Sequence, residues 1–188
     1  MLRAVCYRVG QFLRALTAGV SENEAEQAMH VLTPEARRLF RRQVVQDQRH
    51  ALAVYRALRR SGHTDHRLLA AALLHDVGKA DARLPAWQRA VIVLMDRLAP
   101  RILARLGQED AHGRLLSLAE GRRRPFVVHA RHPQVGARWA REAGCSSLTV
   151  ALIRRHHDEL TTASFPVSIK EREEHRWLVA LQAADNEN

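Results

Sequence analysis

The chain has 188 residues, thirty of them Arg or Lys against twenty Asp or Glu, for a formal charge of +10, and only two cysteines. The length suffices for one domain with a real core, and the ordinary apolar content excludes a disordered chain. Cys6 and Cys145, far apart, exclude a disulfide scaffold and lead to the expectation of a reducing, cytoplasmic setting, while the charge excludes a preference for cationic partners and favours anionic ones.

Arginine stands in for lysine nearly everywhere, leaving Lys79 and Lys170 as the only lysines. Most of these arginines fall on amphipathic helix faces, so a solvated face is favoured over a nucleic-acid surface. Residues 2–17 show apolar spacing of three and four, as an amphipathic helix does. The stretch 1–32 is therefore expected to be an N-terminal helical arm on a domain at 33–188. "SENE" at 21–24 is a capping box with Ser21 as N-cap, opening a helix to about Leu32. Thr33-Pro34 opens another, which the periodicity carries through to Arg60, where Ser61-Gly62 stops it.

Asp65 caps the next helix, "LLAAALLHDVGK" at 68–79, with Gly78 expected to end it. Residues 85–107 read as one or two helices broken at Pro100 and containing the most apolar run, "AVIVLM". A helix at 109–120 is followed by the basic turn with Arg122, Arg123 and Arg124. "HPQVGARWAREAG" is read as a helix beginning at His132 and closed by Gly144. Ser146 or Ser147 caps "LTVALIRRHHDEL", "TTASFPVS" is a loop, and the last helix begins near Ser168. No strand pattern appears, so the fold class is all-α. No uncharged run approaches bilayer-spanning length; the segment around 90–106 is punctuated by Arg89, Asp96, Arg97, Arg101 and Arg105 and is expected to pack on the domain or on a second copy in a homodimer.

The chemistry gathers where the alanine-rich helix ends. His75 and Asp76 are adjacent there, and both can reach one ion placed off the helix end. Buried ionisable groups are paired or bound to metal. His50 lies upstream in "DQRHAL", His132 opens "HPQVG", His156 and His157 end another helix, and Asp185 follows "VALQAA". Apolar-backed helices thus deliver histidine or aspartate in the order H, HD, H, HH, D. Asp185 lies close to the end of the sequence, so its service there requires Trp177, Leu178 and Leu181 to dock the helix.

The pieces "AALLHDVGK", "HPQVGARWA", "LIRRHHDE" and "LVALQAAD" resemble the HD superfamily of metal-dependent phosphohydrolases over roughly residues 36–188. The resemblance implies a helical HD-domain bundle and two divalent transition metal ions, from among iron, manganese, zinc, cobalt and nickel, which imidazole and carboxylate donors select over magnesium. It implies that His50, His75, Asp76 and Asp185 form one site, and that Asp76, shared, joins His132, His156 and His157 in a second. His129 is the alternative to His132, set aside on the "HP" match. Asp76 and Lys79 then carry catalysis, Lys79 holding a phosphate oxygen, where its structural alternative is a helix-end cation. The implied activity is hydrolysis of a small phosphate mono- or diester, a nucleotide foremost, by an activated hydroxide.

Two departures narrow this. "HHDELTTASFP" keeps only the proline of the Gly-Tyr-Pro motif of the cyclic-di-GMP phosphodiesterase subgroup, which argues against that substrate. Gln46 stands where some of those enzymes carry an acid, which argues against a third ion. The same donors would also serve a di-iron oxygenase of the superfamily or a non-catalytic, metal-stabilised nucleotide-binding module.

Overall fold

The computed structural model describes residues 20–82, 124–158 and 169–188. Among them are seven α-helices: α1 (Glu22–Met29), α2 (Pro34–Arg42), α3 (Val45–Arg60), α4 (His66–Leu74), α5 (Arg124–Glu142), α6 (Ser147–Arg155) and α7 (Ile169–Asn186). A 3-10 helix spans Val77–Ala82, and the described residues contain no strand. The fold class is all-α, as the periodicity predicts. The helices expected at 2–17, 85–107 and 109–120, together with Arg122, Arg123 and the loop 161–168, lie outside the described residues. No helix among those described is long and apolar enough to cross a membrane.

Local chemistry sets most helix boundaries. Ser21 accepts from the Glu24 amide at 3.4 Å, Thr33 from Ala36 at 3.1 Å, Asp65 from Arg67 at 2.8 Å and Ser146 from Thr149 at 3.1 Å. Each satisfies an amide that a helix start leaves without a partner. Gly62 and Gly144 take φ of 83° and 76° just past α3 and α5. Around each, two backbone bonds close the helix end: His63 to Leu58 and Gly62 to Arg59, then Cys145 to Ala140 and Gly144 to Arg141.

The continuous helix expected from Thr33-Pro34 to Arg60 is two helices. Gln43 and Val44 are extended, with ψ of 148° and 157°. The break turns the Gln43 side chain inward, where its amide donates to the carbonyl of Leu73 at 3.1 Å, one of the carbonyls that α4 exposes at its end. Apolar periodicity persists through a break of two residues, which is why it did not register in the pattern.

Seven consecutive residues of α4, Leu68 to Leu74, are buried. A helix apolar all round belongs in the centre, and α4 is packed by α2, α3, α6 and α7. Ala25, Ala28, Met29 and Leu32, at the end of the stretch read as an arm, lie in this same core. At the other end Trp177 is 6% exposed and Leu178 and Leu181 are fully buried. These three dock α7 against α3, α4 and α6, which fixes the backbone of Asp185.

Candidate metal centre

The core helix α4 stops at Leu74, not at Gly78, and the chain continues as the 3-10 helix. Its glycine has another use. A Cβ on Gly78 would lie 2.1 Å from the carbonyl oxygen of His132, and a Cβ on Gly136 would lie 3.2 Å from the Gly78 nitrogen. The 3-10 helix and α5 therefore cross at near backbone contact. α5 itself begins at Arg124, well before the expected start, so His132 and Pro133 lie inside it. Pro133 resembles a first-turn proline in sequence, and that is what misplaced the helix start.

This crossing brings the sequence-predicted donors together. His50 Nε2 lies 2.7 Å from Asp185 Oδ1 and 3.3 Å from His75 Nε2, which is in turn 3.6 Å from Asp185 Oδ1. On the other side, His132 Nε2 lies 3.2 Å from His156 Nε2. The ring of His157 packs at a steep angle beside these, with centroids 4.2 Å from His156 and 4.9 Å from His132. Within each triad, His50–His75–Asp185 and His132–His156–His157, one donor atom per residue falls within 4.8 Å of the others. Asp76 stands between them. Its Oδ2 is 3.6 Å from His75 Nε2; its Oδ1 is 3.1 Å from His132 Nε2 and 3.7 Å from His156 Nε2. Lys79, stacked over Asp76 because positions i and i+3 eclipse in a 3-10 turn, places Nζ 2.6 Å from Oδ2. His129 borders the second triad, 5.7 Å from His132 between ring centroids, and is not one of its three members.

The rings are oriented by their own backbones. Nδ1 of His75 donates to Ala72 at 2.9 Å, Nδ1 of His156 to Ile153 at 2.7 Å, and Nδ1 of His132 to His129 at 2.5 Å. A carbonyl only accepts, so each Nδ1 carries the hydrogen, and in the neutral ring Nε2 presents a lone pair. Ala72 and Ile153 belong to the last turns of α4 and α6, where carbonyls have no helical donor. This outer support is what a metal-binding imidazole ordinarily has.

The electrostatics are those of a donor cluster. Burial, and then the charge of Lys79, push the His132 pKa down to about 3, so its ring is neutral at ordinary pH. His157 is lowered by its surroundings and then by His156, His132 and Lys79. Burial opposes charge on His75, but Asp76 and Asp185 outweigh it and raise that pKa. Burial likewise opposes charge on Asp76, and the positive charge of Lys79 and then of His75 overcomes it, holding the carboxyl well below its usual range. Asp185 is lowered too: burial is outweighed by bonds to His50 and His75.

The fit to a cation can be tested on the second triad. His132 Nε2 has no hydrogen, and it faces the Nε2 of His156 and Oδ1 of Asp76. That oxygen is buried without a hydrogen-bond partner among the described residues. Three lone-pair donors converge with no hydrogen shared between the two rings when both are neutral, which is costly unless a positive ion lies among them. The donor chemistry, imidazole and carboxylate, suits a divalent transition metal.

Sequence reasoning located every member of both triads and Asp76. It missed Gly78, Gly136 and Gln43, whose part is to let elements approach. Glycines at 78 and 136, one in each of two donor-bearing segments, were the available signal. Comparison of the chain with family models, with curated proteins and with solved structures returned no match.

Proposed function

We propose that this chain is a metal-dependent phosphohydrolase of the HD type, acting on a small phosphate mono- or diester, with a nucleotide as the favoured class. The observation that carries the reading is the position of Asp76. Its two carboxylate oxygens face different histidine sets, Oδ2 toward His75 and Oδ1 toward His132 and His156, as a carboxylate shared by two cations would.

His50, His75, Asp185 and Asp76 would hold one ion; Asp76, His132, His156 and His157 would hold the other. The chemistry such a pair supplies is Lewis acidity toward phosphate oxygens and a lowered pKa for water. The chain's own residues do the rest. The three Nδ1–carbonyl bonds hold the rings in one orientation, so donor geometry is set before substrate arrives. Lys79, about a quarter exposed while Asp76 is almost wholly buried, sits at the outer side of the shared carboxylate. There its ammonium can turn toward an anionic phosphate and stabilise the charge that grows in the transition state. This cation suits an anionic substrate such as a phosphate ester.

Three outcomes are expected. Zinc or manganese added to chelator-stripped protein at 100 times its dissociation constant should stabilise by about 2.7 kcal/mol per ion. For a chain of this size that is on the order of 5–10 °C in melting temperature. The loaded protein should hydrolyse members of a phosphomonoester and phosphodiester panel. Failure to bind any transition metal defeats the reading; binding with oxygen consumption and no phosphoester cleavage moves it to the oxygenase class. Lys79→Ala should bind both ions with parental affinity, because an ammonium has no lone pair to offer, and should lose turnover on the order of 10²-fold. A parental rate in that variant would reduce Lys79 to a partner of Asp76.

A further inference from the structure

His75 and His156 obtain their Nδ1 acceptors at no cost, because their helices end at Leu74 and Arg155. His132 is different. It lies within α5, which continues to Glu142, and inside a helix each carbonyl is normally engaged by the amide four residues on. The amide that would engage the His129 carbonyl is that of residue 133. Residue 133 is proline, buried, within the helix, and without an N–H. The acceptor of the His132 ring is this same carbonyl, with Nδ1 at 2.5 Å.

We propose that Pro133 is a positioning residue for the second triad: by withholding an amide from the His129 carbonyl it leaves that acceptor to His132 Nδ1–H, and so holds the Nε2 lone pair toward Asp76 Oδ1 and His156. In effect the proline makes, in mid-helix, the spare carbonyl that His75 and His156 find at helix ends. With a residue bearing an N–H at 133, the carbonyl would be engaged along the helix axis. The ring could then share it only with longer, more bent geometry, and the tautomer with hydrogen on Nε2, useless as a donor, would become populated. A proline inside a helix ordinarily destabilises it, and the ring bond recovers part of what the missing amide loses. The inference rests on the two-ion reading for its consequence, though not for the tautomer.

The experiment uses the full chain, stripped of metal, with nitrogen-15 in the histidine rings, in three forms: parental, Pro133→Ala and Gln134→Ala, the last an exposed neighbour on the same turn. Ring nitrogen shifts report the tautomer, and a zinc titration followed at each ring reports which histidines bind. The parental His132 should carry its hydrogen on Nδ1. In Pro133→Ala, zinc at His50 and His75 should be unchanged and zinc at His132 and His156 weakened about 10-fold, the lower end of the 10–100-fold that loss of an outer partner costs. His132 should become a mixture of tautomers, and Gln134→Ala should match the parental protein in every respect. Parental zinc affinity with an unmixed tautomer in Pro133→Ala overturns the proposal, as does an equal loss in Gln134→Ala. An Nε2–H tautomer in the zinc-free parental protein overturns it without reference to any variant. A parental protein that takes up no zinc defeats the two-ion reading instead, and the tautomer in Pro133→Ala still decides what the proline does.

Discussion

Asp76→Ala should empty both ion sites at once and abolish turnover, while the protein stays folded. The first part follows from the two faces of the carboxylate: each histidine set loses the one anionic oxygen that faces it from α4's end, and the second triad, all histidine, is left with no anion at all. The loss of affinity there should exceed the 10–100-fold expected for removing a mere outer partner. The second part needs an argument, because breaking a buried pair by deleting one member can cost about 3–5 kcal/mol. Asp76 is 5% exposed, but the Lys79 side chain is 27% exposed. Its ammonium can turn to water, so the full penalty does not apply. The isosteric Asp76→Asn separates charge from volume. Its amide can donate to the His132 lone pair 3.1 Å away from the present Oδ1, which offsets part of what the lost charge pair with Lys79 costs, so the metal-free variant should melt above metal-free Asp76→Ala and still fail to bind zinc at His132 and His156. Zinc content and melting temperature on the same samples decide this. Full zinc occupancy in either variant would show that the carboxylate is not shared.

Some of this was legible because it is written in local chemistry. Ser21, Thr33, Asp65 and Ser146 each cap the helix they precede, and a single residue type at a single position is enough to say so. The burial of Leu68 to Leu74 on every face was legible from their composition, and the order of histidine and aspartate along the chain named the side chains that the fold brings together. What was hidden depends on residues that are far apart in sequence. The break at Gln43 turns its side-chain amide to a carbonyl thirty residues on. Gly78 looks like a helix stop because glycine usually is one, and its contact is with the backbone of residue 132. Pro133 looks like a helix start for the same statistical reason, and its helix began at Arg124. Lys79 was expected to hold a phosphate oxygen; it lies beside the two triads, and its partner there is Asp76 itself. In each case the local pattern pointed to the commoner local structure, and a tertiary contact decided otherwise.

Gly78→Ala should be the most disruptive single methyl among the described residues of the site. The added Cβ would stand 2.1 Å from the His132 carbonyl oxygen and 2.8 Å from its carbon and Cα. All three are backbone atoms, so no side chain can rotate away, and relief requires the 3-10 helix and α5 to separate. Gly136 leaves little slack on the other side, since even a Cβ there would lie 3.2 Å from Val77 Cγ1 and 3.4 Å from Ile153 Cγ2. Overpacking a core side chain costs about 1–3 kcal/mol, and a backbone clash should reach or pass the top of that range. The gain from restricting the unfolded chain, about 0.4–1 kcal/mol, does not offset it. At about 2–4 °C per kcal/mol for this length, the melting temperature should fall by at least about 5 °C. Separation of the two elements would also pull Asp76 Oδ1 from His132 Nε2, so zinc at His132 and His156 should weaken more than zinc at His50, His75 and Asp185. The contrast is Gly62→Ala. That glycine has φ of 83° and nothing within 4 Å of an added Cβ, so its substitution costs only the left-handed backbone penalty of about 1–2 kcal/mol and leaves zinc binding alone. Were Gly78→Ala to melt with the parent and bind zinc equally at both triads, the close crossing would not be what assembles the site.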